Sequence, residues 1–197
     1  IAKAPPKHSG TQTVTTKTTG SGQTTIVADG TLSQKQIEDL NNATSGGSTP
    51  QDVAFSDETG RYLTAGVALK SYLNTLRWGN EISALSEIYI EDAGSTGWSG
   101  QYVGSYRVNS NGKITSATGV IILNSSYYIN YDQNSFIYNM KLILSHEYGH
   151  HYTQYHKWVD LNLPVNVRFP DQYYNVRPLS KSATSVDCTN WQTCDSE

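Results

Sequence analysis

A chain of 197 residues can bury one core of ordinary size and is too short for a multidomain assembly. Only 16% of its residues are Asp, Glu, Lys or Arg, 37% are hydrophobic, and 14 basic against 17 acidic side chains leave a net charge of −3. That balance gives no grip on a phosphate backbone, so nucleic acid is not an expected partner, and no apolar run approaches the roughly 20 residues of a membrane-spanning helix.

Residues 1–31 carry Pro5, Pro6 and many Thr, Ser and Gly with almost no large apolar side chains. Such a stretch cannot offset its own chain entropy, and it predicts a flexible tether. Residues 32–51 read as a short helix, over 33–41, followed by a linker with Gly46, Gly47 and Pro50. The compact domain is expected over 52–197. In it, Leu63, Val67, Leu69, Leu73 and Leu76 recur at helical spacing over 61–76, and Gly79-Asn80 ends the pattern.

The period then shortens. Alternation over 86–91 and 101–108, a turn at 109–113, and a run over 114–123 ending in Val120-Ile121-Ile122-Leu123 predict a small, mostly antiparallel sheet. From 134 to 159 the apolar residues Phe136, Ile137, Met140, Ile143 and Leu144 return to helical spacing and predict one long helix. Residues 161–197, with Pro164, Pro170 and Pro178, read as irregular. The fold class is therefore α+β: a small sheet packed on a backing helix and a long second helix.

Five residues separate Cys188 from Cys194, close enough to close a small loop, and the Thr, Ser, Asn and Tyr richness suits an exported protein. Two Asn-x-Ser/Thr acceptor sequences, at Asn42 and Asn124, matter only in a host that glycosylates secreted proteins.

The chemistry concentrates in His146-Glu147-Tyr148-Gly149-His150. On a helix, residues four apart lie about 6 Å apart along the axis on nearly one face, so His146 and His150 aim two imidazoles at one point and form a clamp for a divalent metal. Glu147, one residue beyond the first ligand, sits beside such an ion without occupying it and is placed to take a proton from water as general base. Two imidazoles and a carboxylate suit a single zinc ion, which lowers the pKa of bound water towards about 7. The competing explanation is a histidine-rich amphipathic helix whose rings serve hydrogen bonds in the core.

On this motif, within a predicted helix that follows a predicted sheet, the chain resembles the zincin metallopeptidases. The resemblance implies a zinc endopeptidase acting on protein or peptide substrates; with the composition suited to export and the tether over 1–31, the chain is expected to be secreted or tethered at a cell surface, and monomeric. The resemblance also implies that residues 120–125 form a sheet edge lining the cleft.

Two third ligands compete. His156 lies six residues after His150, the metzincin spacing, but Thr153 stands where that family has a glycine and the single methionine, Met140, precedes the motif. If the helix continues through Thr153, His156 ends about 9 Å further along the axis on another face. The segment from Tyr173 to Ser180, with Trp191 and the final Glu197, instead resembles the approach to the second helix of gluzincins, which implies Glu197 as the third ligand. The helix expected to hold Glu197 does not fit before the end of the chain, so the catalytic domain reads as shortened there. Asp160, Asp171 and Asp187 could each orient a ligand imidazole, and nothing in the spacing selects one. His151 points away from the clamp, towards the surface or behind a ligand. A protein of a different class, a metal-binding surface module without activity, would carry the same residues.

Overall fold

The computed structural model describes residues 12–19, 22–29, 38, 47–60, 65–95 and 97–164, the first two stretches by backbone alone. Six strands, β1 (Gln12–Thr19), β2 (Gly22–Asp29), β3 (Ala54–Asp57), β4 (Leu85–Glu91), β5 (Gly100–Val108) and β6 (Ile114–Asn124), form one sheet in the order β1-β2-β5-β6-β4-β3. Two helices, α1 (Ala65–Leu73) and α2 (Gln133–Tyr155), pack together beside it. The class is α+β with a long helix, as the periodicity predicts. Among the described residues no helix is long and apolar enough to cross a membrane.

The sheet is mixed, which corrects the expectation of a mostly antiparallel one. β3 pairs with β4 and β4 with β6 in parallel, while β5 is antiparallel to β6. The chain leaves β4, passes outside to β5, turns at 109–113 and returns as β6 between them. Alternation along a strand reports which face is buried, not the direction of its neighbours, so this insertion is invisible to pattern. The turn itself is as expected: Asn109 N–H donates to the Lys113 carbonyl at 2.9 Å, and Gly112 takes a φ of 76°. β3, four residues long, is too short for periodicity to register.

β1 and β2 also differ from expectation. Much of the stretch read as a tether is two strands: β1 pairs with β2, and β2 pairs with β5 from Gln23–Val108 to Ala28–Val103. The segments QTVTTKTT and GQTTIVAD are rich in β-branched residues. Those favour extended backbone, and ladder hydrogen bonds need no large apolar side chain. Of the short helix expected over 33–41 only Glu38 is described, and its backbone is helical; the cysteines fall outside the described residues.

The main core lies between the sheet and both helices, where Leu69, Leu73, Ile88, Ile121, Phe136 and Met140 are fully or almost fully buried. Val103, Val120 and Ile122 are buried on the opposite face with Tyr89. The run Val120 to Leu123 is thus covered on both sides, which is why it reads as continuously apolar. It is an interior strand between β5 and β4, so the expectation that residues 120–125 form an edge does not hold.

Candidate metal centre

Asp132 starts α2: its Oδ1 accepts from the Asn134 and Ser135 N–H groups, both at 3.0 Å, and its Oδ2 from the Ser135 hydroxyl at 2.8 Å. These bonds satisfy N–H groups that a helix start leaves without partners, and they hold the Asp132 carboxyl below its ordinary range. The helix then runs unbroken through Thr153 to Tyr155 and relaxes into one π-helical turn, His156–Asp160, where Leu161 N–H donates to the His156 carbonyl. Asn162, at a φ of 53°, ends it, and its side chain accepts from Ile114 N–H at 2.7 Å.

At 100° per residue, Ile143, Glu147 and His151 share one stripe, and that stripe faces the sheet. Glu147 and Ile143 lie against Gly100, the first residue of β5, and His151 lies against Gly119 of β6. Tyr148 flanks the stripe on one side and reaches Glu81, in the 3₁₀ turn Asn80–Ala84 leading into β4. His146 and His150 occupy the other flank.

There the two rings meet edge to face with their Nε2 atoms 3.1 Å apart. Two ligands bound about 2.0–2.1 Å from one tetrahedral zinc ion stand roughly 3.3 Å apart, so the pair fits a divalent metal with little adjustment. Glu147 is fully buried and His150 nearly so, while His146 is partly exposed. The sequence-predicted clamp and base are thus brought together on one turn of helix. Among the described residues no group of three His, Cys, Asp or Glu side chains converges, and Glu197, the expected third ligand, lies outside them together with Asp171 and Asp187.

His156 does not join the clamp. Because α2 continues through Thr153, its ring stands on another face, with Nδ1 against the Asp160 carboxylate and Nε2 3.7 Å from Glu81 Oε2. Asp160 therefore serves His156, and among the described contacts it orients neither clamp ring.

His151 corrects the surface alternative: it is 1% exposed. Its Nε2–H donates to the Glu81 carbonyl at 2.8 Å, which leaves Nδ1 to accept from the Tyr102 hydroxyl at 3.3 Å. A backbone carbonyl can only accept, so this contact fixes the tautomer. Burial holds the ring neutral, with its pKa pulled down to about 4, and burial pushes the Tyr102 and Tyr148 hydroxyls well above the ordinary tyrosine range.

Sequence reasoning missed Glu81. The fully buried carboxylate accepts from the Tyr148 hydroxyl at 2.7 Å and from Gly79 N–H at 2.8 Å, while its main chain receives His151. One residue thereby holds the turns of α2 that carry Glu147 and His150. Glu81 follows the Gly79-Asn80 helix stop, where an acid reads as solvated, and no spacing marks it. Asn124, which stands in one of the two Asn-x-Ser/Thr sequences, is another buried tie. Its Oδ1 accepts from Ala93 and Ser126 N–H at 3.2 and 3.1 Å, and its Nδ2 donates to the Gly94 and Trp98 carbonyls at 3.1 and 3.0 Å. These bonds pin the loop entering β5.

Compared with protein-family models, curated proteins and solved structures, the chain matches none.

Proposed function

We propose that this protein is a zinc-dependent endopeptidase of the zincin type, exported and acting on protein or peptide substrates. The observation that carries the reading is the pair of Nε2 atoms 3.1 Å apart on α2 with the buried acid Glu147 between them in sequence. His146 and His150 would hold the ion, with Glu197 proposed as the third protein donor, the gluzincin arrangement. Bound there, zinc supplies a Lewis acid and an acidified water.

The chain's own residues do the rest. His146 and His150, committed as ligands, do no acid–base work. Glu147 accepts the proton of the attacking water and returns it to the leaving amine, so one carboxylate acts as base and then as acid. Its burial keeps bulk water from competing for that proton and strengthens its electrostatic interactions. Asp132, Glu81 and the His151–Tyr102 contact fix the position and rotation of the helix that carries all three groups.

The test is Glu147→Gln in the zinc-loaded chain against a broad peptide library. Cleavage is expected to fall by about 10²–10⁴-fold with zinc still bound. A parent protein that binds zinc and cleaves nothing in the library would refute the enzyme and leave a metal-binding module of the same shape.

A further inference from the structure

We infer that Gly100 is a positioning residue for Glu147: the space left by its missing Cβ is shared by Ile143 and the carboxylate of the base. This inference rests on Glu147 acting as the base.

A Cβ built on Gly100 would stand 2.3 Å from Ile143 Cγ2, 2.7 Å from Glu147 Oε1 and 2.9 Å from Glu147 Cγ. Both neighbours belong to the stripe of α2 that faces the sheet, and both are buried. Gly100 does not take the left-handed conformation seen at Gly94, Gly97 and Gly112. Its value is therefore room, not backbone freedom.

Two other glycines under the same helix have a different explanation. Cβ atoms at Gly104 and Gly119 would strike the ring or hydroxyl of Tyr102, together with Trp158 in one case and the His151 ring in the other. Those positions make room for aromatic packing. Of these three glycines facing the helix, Gly100 is the one whose gap holds an acid.

The strand cannot yield to make room. Gly100 is paired with Leu123 in the β5–β6 ladder, the Asn124 N–H donates to the Ser99 carbonyl at 2.9 Å, and the Asn124 side chain holds the Gly94 and Trp98 carbonyls. A methyl group at 100 would be relieved by movement on the helix side, and the free end of a Glu side chain moves more cheaply than a packed helix. The carboxylate would be displaced from its present place against β5 while the two rings, on the flank of the helix, stay in place.

The experiment compares Gly100→Ala, Gly104→Ala, Ile143→Ala and the Gly100→Ala/Ile143→Ala pair in the zinc-loaded full chain. It reads kcat and KM on a cleaved peptide, zinc affinity by calorimetry, and the crystal structure of each Gly100→Ala chain. For Gly100→Ala, kcat is expected to fall about 100-fold. KM and zinc affinity should stay within about twofold of the parent, and the Glu147 carboxylate should be displaced with α2 unmoved. Gly104→Ala crowds Tyr102 and Trp158 instead of the acid and should lower stability with a much smaller loss of kcat than Gly100→Ala. The pair removes the closest clash and lets the chain fold, yet should keep the loss in kcat measured against Ile143→Ala.

Recovery of kcat in the pair would place the fault in helix spacing and overturn the inference, as would an unmoved Glu147 in the Gly100→Ala crystal. If the parent cleaves nothing, the proposed activity fails separately, and the position of the carboxylate in the crystal still decides the role of Gly100.

Discussion

Acidifying the metal-free protein is expected to remove stability through one buried ring, His151. Burial draws its pKa down to about 4 against the opposing pull of the Glu81 carbonyl and the Glu81 charge; His156 nearby adds to the lowering. Tyr102 and Tyr148 complete its surroundings. An imidazole in the unfolded chain titrates near about 6.5. Between those two values the unfolded chain takes up a proton that the folded chain refuses. The stability contributed by the neutral ring is therefore complete above about pH 6.5 and is lost as the pH falls towards 4. The gap corresponds to about 3 kcal/mol, a substantial part of the 5–15 kcal/mol that typically separates folded from unfolded domains.

The assay is urea unfolding with a chelator present, so that His146 and His150 carry no metal, at about pH 7.5 and about pH 4.5. The parent is compared with His151→Gln. Carboxylates elsewhere titrate in both proteins, so the informative quantity is the difference in pH dependence. The parent should lose roughly 2–3 kcal/mol more than the variant over this interval. Equal losses would refute the assignment of His151 as a ring kept neutral by burial.

Trp158 is fully buried with its ring 4.9 Å from that of Tyr106, so Trp158→Ala should cost about 3–5 kcal/mol by chemical denaturation. Asn124→Ala orphans donors and acceptors on both sides of the β5 entry loop and should cost about 3 kcal/mol or more. Because that side chain is buried and fully engaged, mass spectrometry of folded protein from a glycosylating host should find no glycan on Asn124. Asp132→Ala should lower the melting temperature. Its carboxyl pKa is depressed in the folded state, so the stabilisation is present above the ordinary carboxylate range and fades as pH falls through the folded value. A melting curve in strong acid should therefore show the variant and the parent converging.

The clamp was legible because His-Glu-x-x-His is a statement about one helix: the geometry is local, and α2 runs over 133–155 where the apolar spacing places it. β5 and β6 were legible for the same reason, since alternation is local too. What lay beyond reach depends on contacts distant in sequence. The insertion of β6 between β5 and β4 is set by pairing over thirty residues, and the attachment of β2 to β5 uses backbone groups that every residue carries. Glu81 acquires its importance from Tyr148 and His151, 67 and 70 residues away. Gly100 looks like any strand glycine until the helix is laid on it. His151 read as a possible surface ring because its stripe could not be oriented without the sheet.

The central claim, that His146 and His150 grip one ion, is tested most directly by the anomalous scattering of crystals grown with zinc. The account predicts a single ion about 2.0–2.1 Å from both Nε2 atoms, with a third protein donor from beyond residue 164 and Glu197 as the donor expected. Two rings turned into separate environments, with no zinc signal between them in excess metal, would contradict it.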